Sequence, residues 1–160
     1  MDPYEEKLKL FMQDHQIIGE HLHFEQSCHS VKEAAEAVNA EPSDLVKSIC
    51  LIDASGSLIV AIVKGEDRVS IIDVAKALNI QPPKISTPAE ILERTGYPCG
   101  GTPSFGYKAV FLIDERVMEK EVVYSGGGSE NSLVKITPKE IQRSNRGTIA
   151  KIRIHEKKPL

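Results

Sequence analysis

Residues 45–65 read LVKSICLIDASGSLIVAIVKG, two apolar, β-branched runs on either side of the short segment Ala54-Ser55-Gly56. Runs of this composition, broken by a few turn residues that include glycine, predict a β-hairpin with strands over 45–53 and 57–65. What flanks the hairpin decides the fold class. Upstream, residues 3–15 predict a helix, with Pro3 suited to a first turn and Leu8, Phe11 and Met12 on one face. EHLHFEQ alternates as a half-buried strand does. Ser30 and Glu33 form a capping box for a helix through AAEAV that ends at Asn39.

Downstream, SIIDVAKALN predicts a helix with Ser70 as cap and Asp73 as first-turn acid. TPAEILERTG predicts another, with Thr87 capping, Pro88 first, Glu90 completing the box and Gly96 closing it. YPCGGTPSFGY is too rich in Gly and Pro for regular structure. AVFLID, EVVYS, SLVKI and TIAKIRI predict four further strands, with TPKEIQR a short capped helix before the last. Strands and helices do not alternate strictly enough for a doubly wound sheet. The expectation is an α/β (mixed) fold: a single domain over 1–160, with one curved, mixed, largely antiparallel sheet flanked by helices.

The 160 residues suffice to bury a core without staples, and 27% charged residues with a net charge of −3 give no global basic field toward nucleic acid. Any RNA must therefore be gripped locally. Cys28, Cys50 and Cys99 are odd in number, widely spaced and without a CxxC pair, which argues against a disulfide scaffold and for a reducing compartment. The acidic N-terminal stretch does not read as a signal peptide, and no window approaches the ~18 apolar residues of a membrane span. A soluble, cytoplasmic protein with no membrane partner is expected.

GxSxG and GxxxxGK[ST] motifs are absent, so an esterase elbow and a Walker nucleotidase are excluded. His21, His23, Cys28 and His29 are the one metal-ligand candidate. Lacking a second clean ligand pair, they read as a polar strand edge running into a helix cap, and no metal is expected. Lys47 interrupts an apolar strand. It is either a surface lysine or an ammonium reaching into a cleft to hold a phosphate or carbonyl oxygen. Two glycine clusters, CGGTPSFG and YSGGGSEN, are either turns or backbone brought close to a ligand. In the first, the N–H groups of Gly100 and Gly101 can polarise a carbonyl, with Pro103 stiffening the loop.

In order along the chain, AAEAVNAEPSDLVKSICLID, VAIVKGEDRVSI, GYPCGGTPSFG, VFLIDERVMEKEVVYSGGG and LVKITPKEI resemble the YbaK family, relatives of the editing domain of bacterial prolyl-tRNA synthetase. The resemblance covers about residues 20–145. It implies a free-standing, metal-independent aminoacyl-tRNA deacylase without a cofactor, hydrolysing the ester of a mischarged tRNA. The implied substrate is a small amino acid on a tRNA-Pro-type molecule. The acceptor end of the aminoacyl-tRNA is the implied partner, with a synthetase as a second partner class. Lys47 matches the family lysine near the terminal adenosine and the ester. Gly100 and Gly101 match the loop against the aminoacyl carbonyl, with Pro103 and Ser104 beside them in substrate binding. Asp114 matches an acidic position beneath the site. Ser125 and Gly126, Gly127 and Gly128 match the segment walling the amino-acid pocket. Relatives often carry the loop proline where this chain has Ser104, and some carry a histidine in the segment aligned with Gly126, where none stands here. A catalytically silent module binding tRNA or a synthetase is the alternative, with a small-nucleotide-binding domain behind it.

Overall fold

The expected hairpin forms. In the computed structural model, which describes residues 2–154, β2 (Val46–Ile52) and β3 (Leu58–Lys64) pair antiparallel from Val46 opposite Lys64 to Ile52 opposite Leu58. Asp53 closes the turn, its carboxylate accepting the Ser55 and Ser57 amides at 3.0 and 2.8 Å. β3 is buried at every position. Leu58, Val60 and Ile62 enter one core, and Ile59, Ala61 and Val63 enter the other. A strand covered on both faces reads as a continuous apolar run, and SLIVAIVKG is one.

Around the hairpin lie α1 (Pro3–Asp14), β1 (Gly19–His23), α2 (Val31–Val38), β4 (Arg68–Val69), α3 (Ile71–Leu78), β5 (Lys84–Ile85) and α4 (Pro88–Thr95). Then follow β6 (Val110–Asp114), β7 (Val123–Gly126), β8 (Ser132–Ile136), α5 (Pro138–Asn145), β9 (Thr148–Ala150) and β10 (Arg153–Ile154). The caps fall where the sequence puts them. Ser30, Ser70, Thr87 and Thr137 each accept the amide three residues on, and Asn39, Asn79 and Gly96 close helices in the left-handed region.

The fold is mixed α/β, and its strands divide into three sheets rather than one. The central sheet runs β5-β2-β3-β6-β9, β1-β8-β7 is fully antiparallel, and β10-β4 is a two-stranded ribbon. β3–β6 and β6–β9 are parallel, because α3 and α4 carry the chain back before β6, and the β7–β8 hairpin with α5 does so before β9. A parallel bridge from Leu45 to Tyr124 links the central sheet to the second one. TIAKIRI, expected as one strand, splits into β9 and β10. At the break, Ile152 donates its amide to the buried carboxylate of Asp114 at 2.9 Å, which diverts the chain from β6 toward β4. No helix among the described residues is long and apolar enough to cross a membrane.

Candidate active site

β5 covers β2 only at Leu51 and Ile52, with the Ser86 amide donating to the Cys50 carbonyl just beyond, at 2.9 Å. The rest of the β2 edge faces a cleft of about 470 Å³. Its walls are Val46 to Cys50 of β2, the entry to α2 at Cys28 to Val31, the approach to α4 at Ile85, Ser86 and Pro88, and the glycine loop at Cys99, Gly100 and Thr102. Gly126 and Leu133 of the β7–β8 hairpin close it. Strand amides alternate in direction, so Ser48 presents its backbone N–H and C=O to the same side as the Cys50 carbonyl, into the cleft.

Lys47 lines this cleft, half-buried, and donates through Nζ to the Asp67 carbonyl at 2.6 Å. Burial lowers its pKa from the ordinary lysine value. The Asp67 carboxylate opposes that shift, and Arg68 adds to it. One bond to a carbonyl leaves two of the three ammonium donors for a ligand. Arg116 neutralises Asp67 at 2.8 Å and Glu66 at 3.2 Å, and Lys64 also reaches Glu66 at 3.2 Å. The carboxylates near Lys47 are thereby engaged elsewhere.

Gly100 has φ +91° and lies under the His29 ring, where a Cβ would stand 2.9 Å from Cε1. Gly101 does not present its amide to the cleft. Its N–H donates to the Pro98 carbonyl at 3.0 Å, and its carbonyl accepts from the Gly128 amide at 2.8 Å. Pro103 and Ser104 are buried behind the loop. The Ser104 hydroxyl joins that of Ser125 at 2.6 Å and that of Ser48 at 3.1 Å, so one serine fastens the loop to β7 and β2 together.

Of the three consecutive glycines, Gly126 alone lines the cleft. A Cβ there would fall on the Thr102 carbonyl oxygen, 2.8 Å from its carbon. Gly127 instead faces β8, with the Leu133 amide 2.6 Å from where a Cβ would stand. Gly128 faces α1, with the Tyr4 carbonyl oxygen at 2.8 Å. The expectation of a wall three glycines long is corrected accordingly: all three are bare where backbone packs on backbone, and only Gly126 also borders the cleft. Asp114, expected beneath the site, is fully buried away from the cleft lining. It accepts from Ile152, Arg116 and Arg153 at 2.9, 3.1 and 3.1 Å.

The metal-ligand candidates are drawn to separate partners. His21 Nε2 pairs with the Gly127 carbonyl at 2.8 Å, His23 Nδ1 with Glu5 at 3.0 Å, and His29 with Glu130 at 3.4 Å, while Cys28 is buried. Burial pushes the Cys50 thiol up to about 12, with Cys99 adding to the shift, so Cys50 is no thiolate nucleophile at neutral pH. Ser48, Cys50 and Ser86 line the cleft unannounced by any motif, because strand alternation and packing place them there, and Cys99 and Thr102 join them from the CGGTPSFG loop. What remains is a site that holds and polarises: one ammonium, an open strand edge and a glycine loop, with no carboxylate in its lining.

Comparison with known proteins adds three findings. YwhH of Bacillus subtilis (strain 168), described as an uncharacterized protein, is 28% identical over 120 residues, 74% of this chain and 76% of its own length. A solved structure described as a candidate trans-editing enzyme for prolyl-tRNA synthetase superposes with a TM-score of 0.88 at 25% identity, covering 97% of this chain and 99% of that one. The hypothetical protein APE2540 superposes with a TM-score of 0.86 at 25% identity, covering 92% and 99%. The family model for the aminoacyl-tRNA editing domain matches residues 25–144, a span containing every wall of the cleft, and the chain belongs to that family.

Proposed function

We propose that this chain acts in trans, as one domain, to hydrolyse the ester of a mischarged tRNA carrying a small amino acid, with a tRNA-Pro-type molecule as the substrate class. The observation that carries this reading is Lys47, a partly desolvated ammonium with donors to spare, beside the open β2 edge and the Gly100 loop. An aminoacyl ester is already activated, so positioning and a polarised carbonyl suffice. Lys47 holds the ester or the adjoining ribose-phosphate. The cleft-facing Ser48 amide, with the Gly100 loop beside it, receives the charge that develops on the carbonyl oxygen when water attacks. The departing ribose oxygen takes the proton, and the neighbouring ribose hydroxyl serves as relay. Gly101, Pro103, Ser104, Ser125 and Asp114 act by positioning, since their polar groups are engaged within the fold. The family membership supports deacylation as the activity class.

The absence of a carboxylate from the cleft lining favours one second reading, a silent module that binds the acceptor end or a synthetase without hydrolysis. A panel of Ala-, Cys-, Ser- and Thr-charged tRNA-Pro decides between them. At least one ester should be cleared by the wild type, and Lys47→Ala should lose roughly ten- to hundredfold in rate with one charge-assisted hydrogen bond. Binding without clearance of any ester establishes the silent module.

A further inference from the structure

Ser86 sits between β5 and Thr87, the N-cap of α4, and lines the same cleft. Its amide is tied to the Cys50 carbonyl at 2.9 Å, which holds the residue against the β2 edge. It is 6% exposed, yet its hydroxyl has no hydrogen-bond partner among the described residues. The other unpartnered buried side-chain atoms among the described residues, the Tyr97 hydroxyl and the Arg153 Nε, lie outside the cleft lining. Around Ser86 the wall is apolar or thiol: Ile85, Pro88, Ile91, Cys50 and Cys99. Buried hydroxyls are ordinarily paired, and an unpaired one in such a wall marks a place for a polar partner.

Lys47 and Cys50, to whose carbonyl the Ser86 amide is tied, lie three steps apart along β2 and line the same cleft. We infer that Ser86 is a specificity-determining contact, and that the cleft selects an aminoacyl group with a small hydroxyl side chain, seryl over alanyl. The inference rests on the deacylase reading and names its substrate class. A seryl hydroxyl completes the bond of Ser86, whereas an alanyl methyl leaves that hydroxyl as unpaired as it is in the free protein. A thiol is a weaker partner on both counts. The net gain of one neutral hydrogen bond corresponds to a preference of about two- to 13-fold.

The test pairs binding with turnover. Titration calorimetry with the seryl and alanyl amides of 3′-amino-3′-deoxyadenosine, which cannot be hydrolysed as esters, should show the wild type favouring seryl about two- to tenfold. Single-turnover clearance of Ser- and Ala-charged tRNA should show the same ratio. Ser86→Ala should bring both ratios close to one and melt no lower than the wild type, since it removes an unpaired hydroxyl. Ser86→Cys, with a similar volume and a weaker donor, should fall between. Equal affinity of the wild type for the two amides, no binding of either, or a ratio that survives Ser86→Ala overturns the inference. Amides that are discriminated while neither ester is hydrolysed support Ser86 and defeat the deacylase reading instead.

Discussion

Replacing Gly126 by Ala tests whether the two glycine loops meet backbone to backbone. Gly126 is in β7 and is not among the residues of positive φ, so alanine suffers no conformational strain there. The added carbon would fall on the Thr102 carbonyl oxygen, 2.8 Å from the Thr102 carbon and 3.0 Å from the Gly101 oxygen. Ordinary carbon–oxygen approach begins near ~3.3 Å. All three obstacles are main chain, so no rotamer relieves the overlap. Overpacking of this kind costs about 1–3 kcal/mol, and the rigidity of the neighbours sets the upper half of that range. The stiffer unfolded chain returns only about 0.4–1 kcal/mol. A net loss of about 1–2 kcal/mol lowers Tm by roughly 2–8 °C for a chain of this length. Calorimetric melting beside single-turnover deacylation measures both consequences, since displacing Thr102 also moves the cleft wall. A Gly126→Ala protein that melts within a degree of wild type and deacylates at its rate would falsify the crossing of the loops as described.

Other perturbations separate scaffold from site. Gly127→Asn should melt well below wild type, because its Cβ meets the β8 backbone at 2.6–2.7 Å; a tolerated asparagine would make the triple glycine an ordinary turn. Ser104→Ala strands the hydroxyls of Ser48 and Ser125 and should cost about 1–3 kcal/mol in urea unfolding, while Ser104→Ala with Ser125→Ala should cost less than the sum of the two. Asp114→Ala leaves Arg153 and the Ile152 amide without their carboxylate, and about 3–5 kcal/mol should be lost; near-wild-type stability would contradict the pairing. Lys47 has a folded pKa below its unfolded 10.5, so between those two values the unfolded chain binds more protons and stability rises with pH. Wild type minus Lys47→Met melting curves, followed across that alkaline window, should show the rise, and binding of the aminoacyl amides should weaken over the same range.

Much of the architecture is legible in the chain. Helix ends follow from local chemistry, because a cap such as Thr87 with Glu90 satisfies amides only three residues away. The hairpin follows from two apolar runs and a turn. The buried β3 is an uninterrupted apolar run because helices and loops cover both of its faces. The motifs also point to Lys47, Gly100 and Gly126, all of which line the cleft.

The tertiary structure alone decided the rest. The split of TIAKIRI depends on Asp114, 38 residues from its partner Ile152, and no local pattern reports that bond. The two-residue strands β4 and β5 have no periodicity to read, and exist because longer elements leave them an edge to pair with. Glycine by itself says only that no side chain is present. Whether the bare face meets a ligand or another main chain, as at Gly101, Gly126, Gly127 and Gly128, depends on which segment packs against it. The same limit applies to Ser86 and Ser104, whose identical hydroxyls are orphaned in one case and doubly engaged in the other. Composition carries the chemistry of a group, but its partners are set by contacts between segments far apart in the chain.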